Sequence, residues 1–137
     1  MAEITMLTVA NSAEIMNGNL YGLGIGWNWT TSPAPPMVLI ARTNISQGRM
    51  DSGDMTWTCE LQDSDGRPVN QPIQPNSLFY ASATMPNGSY PGVEVPVWSL
   101  FYFPVLELPP GRYQWRVSCD DAVKEYGFTV VDPASLS

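Results

Sequence analysis

Histidine is missing from all 137 residues, and lysine occurs once, at Lys124. Without histidine the chain lacks the commonest general base at neutral pH and the commonest nitrogen ligand for metals. Six basic residues face thirteen acidic ones, for a net charge of −7. A phosphate backbone needs a basic footprint, so no nucleic-acid partner is expected. Charged residues make up only 14% of the chain, against about 25% in an average domain. No run of about 18 apolar residues is present to span a bilayer. Met1-Ala2-Glu3 opens with an acid rather than the basic start of a secretory signal. The expectation is a protein made in the cytoplasm with no membrane partner. Gly-rich phosphate loops, a nucleophile elbow and Cys/His metal spacings are absent as well. No cofactor, metal or catalytic residue is therefore expected.

Against these absences stand an apolar content of 44%, eleven glycines and thirteen prolines. That much apolar residue suffices for a globular core, and the length predicts a single domain over 1–137. The dominant period is two, which means strands. Ile4–Ala10 reads as the first strand, and Asn17-Gly18 is a turn dipeptide. Tyr21, Leu23, Ile25, Trp27 and Trp29 then alternate with Gly22, Gly24, Gly26 and Asn28. One face of that strand is apolar and the other nearly bare backbone, which suggests a close approach or a bulge. Further strands are expected over Met37–Ile45, Met55–Gln62, Leu78–Met85, Val95–Leu108, Tyr113–Cys119 and Glu125–Val131. Turns are expected at Asp63–Gly66, Pro86–Gly92, Leu108–Gly111 and Asp120-Asp121. The one helix candidate is Ser12–Met16, too short for more than a turn or two. About eight short strands with almost no helical period point to an all-β, single-domain antiparallel β-sandwich.

Several short motifs have structural explanations. Asp51-Ser52-Gly53 matches the aspartic-protease tripeptide, but that chemistry needs two carboxylates sharing a proton, and one copy is present. Asp63-Ser64-Asp65-Gly66 opens like a calcium loop, yet the later oxygen ligands are lacking, which leaves a hairpin turn. Asn28, Asn44 and Asn87 head glycosylation sequons that carry no meaning without a secretory route. Pro33–Pro36 reads as a stiff inter-strand loop rather than a polyproline ligand. Cys59 and Cys119 both fall on the inward positions of alternating strands. Two readings stay open for them, a bridge between sheets or two buried thiols acting as small hydrophobes.

Charge is distributed unevenly. Residues 15–41 contain no charged side chain, and 68–106 contain only Glu94. Together these segments hold Trp27, Trp29 and Trp98, and three of the four phenylalanines. Trp98-Ser99-Leu100-Phe101-Tyr102-Phe103 puts large apolar side chains on both faces of one strand. A two-sheet fold gives only one of those faces to its own core. The other needs a cover, and Trp98, Leu100, Phe101, Tyr102, Phe103, Trp27 and Trp29 are the candidate contact residues. The alternative is that the Pro33–Pro36 loop or the N-terminal segment folds over that face within the chain.

A resemblance adds to this reading. Met6-Leu7 leads into Val9-Ala10, then Gly18-Asn19-Leu20-Tyr21-x-Leu23-Gly24-x-Gly26-Trp27 and Leu108-Pro109-Pro110-Gly111-Arg112-Tyr113-x-Trp115-x-Val117. In these motifs the chain resembles a family of small proteins from actinobacteria and their phages, a domain of unknown function. The resemblance implies an immunoglobulin-like β-sandwich over most of the chain and no catalytic residue. It also implies an aliphatic residue where Cys119 stands, which favours the buried-thiol reading. The function expected is non-enzymatic: a structural protein acting through protein–protein contact, as a homo-oligomer or as a decorating subunit of a larger particle such as a phage virion. Two alternatives stand beside it. One is a small-molecule or carbohydrate-binding module using exposed aromatics, and the other is an enzyme built on a pair of carboxylates.

Overall fold

Alternation of β-branched and aromatic residues with polar ones recurs along the chain, and such runs form strands. The computed structural model describes residues 2–16, 19–46, 48–49, 56–69, 79–83 and 94–136. Ten strands are defined there: β1 (Ala2–Ala10), β2 (Ser12–Met16), β3 (Asn19–Leu23), β4 (Trp29–Thr31), β5 (Met37–Ser46), β6 (Trp57–Asp63), β7 (Phe79–Ala83), β8 (Glu94–Phe103), β9 (Gly111–Cys119) and β10 (Ala122–Val131). A 3₁₀ turn at Pro133–Leu136 follows. The turns expected at Asn17-Gly18 and Pro86–Gly92, the Asp51-Ser52-Gly53 tripeptide and Asn87 lie outside the described residues.

The strands form two four-stranded sheets, ordered β1-β5-β8-β7 and β4-β10-β9-β6, and a separate two-stranded sheet, β2-β3. Pairing is antiparallel except between β10 and β4, where Thr129–Val131 run parallel to Trp29–Thr31. The architecture is all-β. It departs from a purely antiparallel design at that one edge.

One core cluster takes side chains from both large sheets. Ile4, Leu7, Val9, Met37, Leu39, Phe101 and Phe103 enter it from the first, and Leu61, Trp115, Val117, Phe128 and Val130 from the second. Phe103 stacks on Trp115 across the gap, with ring centroids 4.4 Å apart and planes at 23°. Trp57 on β6 is half-buried against this core, and its Nε1 donates to Thr43 Oγ1 on β5 at 3.1 Å. That bond ties the two sheets together.

Local chemistry sets the connections. Asp63 Oδ1 accepts from the backbone N–H groups of Asp65 and Arg67, at 2.9 and 3.0 Å, and Gly66 takes φ +76°. The carboxylate that began the calcium-like motif thus holds a turn together. The chain then returns beside β6, where Val69 N donates to Leu61 O. Pro33–Pro36 is pinned by Ala34, which exchanges both backbone hydrogen bonds with Leu106.

Two expectations are corrected here. Ser12–Met16 is a strand and not a helical turn, paired with β3 from Ser12↔Leu23 to Met16↔Asn19. Tyr21 to Trp29 is not one continuous strand: it breaks at Gly24–Gly26, where Gly24 and Gly26 adopt φ +63° and +87°. Glycine reaches that left-handed backbone at little steric cost.

Candidate functional site

The break at Gly24 gives the alternating aromatic segment two separate destinations. Trp27 turns toward the core, packs edge-on against Phe128 at 5.8 Å, and its carbonyl accepts from the Tyr126 hydroxyl. Tyr21, Leu23, Ile25 and Trp29 stay at the surface.

The β2–β3 hairpin explains this division. In its register, Ala13 lies opposite Gly22 and Ile15 opposite Leu20, while Ser12 faces Leu23, Glu14 faces Tyr21 and Met16 faces Asn19. Since successive side chains point to opposite faces, the hairpin has two distinct surfaces. Ala13, Ile15 and Leu20 pack down on a second buried cluster of Ala10, Val38, Ile40 and Leu100. Ser12, Glu14, Met16, Asn19, Tyr21 and Leu23 are all exposed on the other side.

The inner surface answers the question raised by the apolar strand at 95–108. The outward face of β8 is covered from within the chain, by the N-terminal hairpin. The Tyr102 hydroxyl donates to Ala13 O at 3.0 Å, and both Trp98 and Tyr102 are half-buried against the second cluster. The Arg42 guanidinium lies 5.9 Å from the Trp98 ring centroid. Burial beside Glu14 pushes the Tyr102 phenol up from its ordinary value, burial being the larger cause.

The expected contact residues are therefore corrected in part. Leu100, Phe101 and Phe103 are buried in the two clusters and cannot meet a partner. Trp98, Tyr102 and Trp27 are half-buried and already engaged. Trp29 alone of the seven is exposed.

The exposed apolar surface lies elsewhere. Seven large hydrophobic side chains are exposed among the described residues, and five of them fall between Met16 and Trp29. Leu23 is 72% exposed, and Met16, Tyr21, Ile25 and Trp29 lie between 49% and 54%. Tyr21 and Leu23 line a shallow depression of about 480 Å³ with Ser12, Ala13, Glu14 and Gly22. Ile25 and Trp29 line another, of about 350 Å³, with Asn11, Gly24, Gly26, Trp27 and Thr30. Gly22 lies opposite Ala13 and shares the inward parity of Leu20, so an added Cβ there, within 2.8 Å of Ile25 Cδ1, places Ile25 on the hairpin's inner side. At Gly24 an added Cβ would come within 2.6 Å of the Asn11 amide nitrogen. These close approaches are what the bare glycine face of the sequence provides for. Asn11 N donates to Leu23 O and Gly26 N to Val9 O, which fixes the end of the hairpin to β1.

A third depression is polar and includes Asn28, Asp63, Arg112, Gln114 and Thr129. Each of the three contains at most one carboxylate, so none of them assembles the carboxylate pair of a glycosidase. Among the described residues no three Cys, Asp or Glu side chains converge to hold a metal ion. No helix among them is long and apolar enough to cross a membrane.

Both thiols are free. Cys59 and Cys119 lie on neighbouring strands of the same sheet, with Cys59 opposite Val117 and Cys119 opposite Trp57. That diagonal relation puts their Cβ atoms beyond the roughly 4 Å a disulfide needs. An inter-sheet bridge is thereby replaced by two inward thiols, and burial pushes each up to about 11.

Compared with models of known protein families, with curated proteins and with solved structures, the chain matches none of them. The functional reading rests on its own surface.

Proposed function

We propose that the chain is a non-enzymatic interaction protein, and that the outer face of the β2–β3 hairpin, with Met16, Tyr21 and Leu23, is its protein contact surface. The carrying observation is the exposure of Met16, Tyr21 and Leu23 together on one face of the hairpin, within a charge-free segment of an acidic chain. Soluble monomers scatter such residues, and a concentration of them on one surface marks a place where another molecule sits. Aromatic and methionine side chains in a charge-depleted area are also what the centre of an interface contains.

The fold part of the proposal is an immunoglobulin-like sandwich. Two four-stranded sheets share one core, and Tyr113 near the start of β9 donates from its hydroxyl to Pro109 O, four residues upstream, at 2.6 Å. A tyrosine so placed, bonding back to the preceding backbone, is the corner device of that fold. Under the resemblance to actinobacterial and phage proteins, the contact made by the hairpin is with a virion subunit.

A second reading has one observation in its favour. Trp29, Asn11 and Thr30 line the same depression as Trp27, whose buried Nε1 has no partner among the described residues. An aromatic plane beside amide and hydroxyl groups suits a neutral saccharide. The aliphatic side chains on the hairpin's outer face, Met16 and Leu23, favour the protein partner.

The test is the size of the chain in its source cells. An epitope-tagged chain expressed there should elute well above 15.1 kDa, and Leu23→Asp should return it to that mass with an unchanged circular dichroism spectrum. Wild-type chain eluting at 15.1 kDa overturns the contact reading, and quenching of tryptophan fluorescence by a neutral oligosaccharide, lost in Trp29→Ala, replaces it with the second.

A further inference from the structure

We infer that the β2–β3 hairpin is a strap. It opens as one unit about Asn11 and the Gly24–Gly26 turn and uncovers the apolar strip of the first sheet, while both large sheets stay folded. The inference goes beyond the contact reading and does not depend on it.

The strip follows from the register of the first sheet. On its outward face Ala10, Val38 and Tyr102 form one row across β1, β5 and β8, and Thr8, Ile40 and Leu100 form the next. The row after that carries Arg42 between Met6 and Trp98, and Arg42 Nη1 donates to Thr5 Oγ1 and Asn44 Oδ1. Ala13, Ile15 and Leu20 of the hairpin pack on the apolar part of this face. With the hairpin in place, Val38, Ile40 and Leu100 are at most 4% exposed. They stand outside the core that the two sheets share, so their burial depends on the hairpin.

The attachment is firm at one end and slight elsewhere. β2 and β3 pair with each other and extend the ladder of neither large sheet, whereas β5 is laddered on both sides. A lone two-stranded hairpin is at best marginally stable in water, so this one depends on the packing beneath it. At its root Asn11 N donates to Leu23 O at 3.0 Å and Gly26 N to Val9 O at 2.8 Å. Beyond the root, the Tyr102 hydroxyl bond to Ala13 O joins hairpin to sheet among the described residues. Ala13, Ile15 and Leu20 are themselves only half-buried. Segments with few buried contacts are the ones that open locally, below the cost of global unfolding.

The root also supplies a hinge. Asn11 is the single residue between β1 and β2, and Gly24 and Gly26 hold φ of +63° and +87° after β3. Hinges are a few loop residues that absorb backbone rotation, which glycine does at the least steric cost. Opening there breaks the Tyr102 bond and the packing of three side chains, and no ladder bond of either large sheet. Met16, Tyr21 and Leu23 ride on the outer face of the same piece. A molecule that binds the open and closed strap unequally therefore sets how often the strip is bare.

The experiment is native-state amide exchange of the purified full chain at several urea concentrations below the unfolding transition. Ladder amides of β2 and β3 should share one opening and exchange at least about 100-fold faster than those of β5 and β9. Low urea should speed β9 and leave the hairpin nearly unchanged, since global unfolding exposes far more surface. Leu61→Ala, in the core that both sheets share, should speed β9 exchange by about 30-fold or more and leave the hairpin rate where it was. As an independent readout, a thiol reagent should label Ile40→Cys at least about 100-fold faster than the native Cys119, which is buried in the other core. Hairpin amides as protected as β9, or sped equally by Leu61→Ala, overturn the inference, because the hairpin then opens only with the whole molecule. Amides of β2 and β3 that each follow a separate rate overturn it as well, since that is fraying and not a strap. An Ile40→Cys thiol labelled no faster than Cys119 overturns it too, because the strip then stays covered.

Discussion

Replacing Trp115 tests whether the two sheets share the core described here. Its side chain is fully buried on β9, inside the cluster fed by both sheets, and stacks on Phe103 of β8 at 4.4 Å. Trp→Ala at such a site costs about 3 to 5 kcal/mol in lost burial and residual cavity, of which the stacked pair supplies about 0.5 to 1.5. One feature lowers the expected value. The Trp115 indole Nε1 is buried without a partner among the described residues, and an unpaired buried donor costs about 1 to 3 kcal/mol that its removal returns. We expect Trp115→Ala near the bottom of the range, at about 3 kcal/mol. Trp115→Phe keeps the stacking and also removes the unpaired donor, so its net cost should stay within about 1 kcal/mol of zero. Urea titration followed by far-UV circular dichroism measures both. A domain stability of about 5 to 15 kcal/mol leaves the alanine variant enough native population to titrate at low temperature. A loss below 1 kcal/mol in Trp115→Ala would place this residue outside the core. A phenylalanine variant weaker than the alanine one would refute the account of the unpaired indole.

Two further outcomes follow from the thiols and from the hairpin. Burial raises Cys59 and Cys119 from 9.0 to about 11, so below pH 9 both folded and unfolded chains hold neutral thiols and these groups give stability no slope. Between pH 9 and 11 the unfolded chain ionises first and stability falls, with the raised Tyr102 and Tyr113 phenols adding in the same direction. The urea midpoint should drop across that window, less so in a Cys59→Ala, Cys119→Ala double variant; an identical drop in both chains counts against buried thiols. Gly24→Ala strains a φ of +63° and drives a Cβ to 2.6 Å from the Asn11 amide, so it should destabilise by about 1 kcal/mol or more. An unchanged thermal midpoint for that variant would mean that the turn after β3 is not as described.

Most of the sheet architecture was legible because the code for half-buried strands is short-range. Trp57, Cys59 and Leu61 on β6, and Trp115, Val117 and Cys119 on β9, alternate with polar residues and point inward as the alternation requires. The Asp63–Gly66 turn and the Asp120-Asp121 connection carry residues suited to tight reversals; the first returns the chain to a bridge between Pro68 and Gln62, and the second joins the paired strands β9 and β10. What alternation could not convey was partner choice. β4 is three residues long and joins β10 in parallel, a pairing across about a hundred residues of chain that no local pattern encodes. Ser12–Met16 was ambiguous for a different reason: five residues are too few to separate a helical period from an alternating one.

The proposed contact surface differs from the one the sequence suggests, because apolar residues on both faces of a strand have two physical solutions. β8 takes one of them. Its outward face is buried by Ala13, Ile15 and Leu20, so the richest aromatic run in the chain, Trp98 to Phe103, is internal or half-buried. The hairpin that buries it takes the other solution, because a covering layer must itself present an outer face. A layer with a polar outer face would end the sequence of covers, and Ser12, Glu14 and Asn19 begin such a face. Met16, Tyr21 and Leu23 interrupt it, within a segment free of charge from residue 15 to 41. The signal was present in the sequence as alternation on both sides of Asn17-Gly18, with Ala13, Ile15 and Leu20 on one parity and Met16, Tyr21 and Leu23 on the other. Two apolar parities in a two-stranded hairpin require two partners, and this chain supplies only one of them among its described residues. The exposed parity of Met16, Tyr21 and Leu23 is what the proposed protein contact rests on.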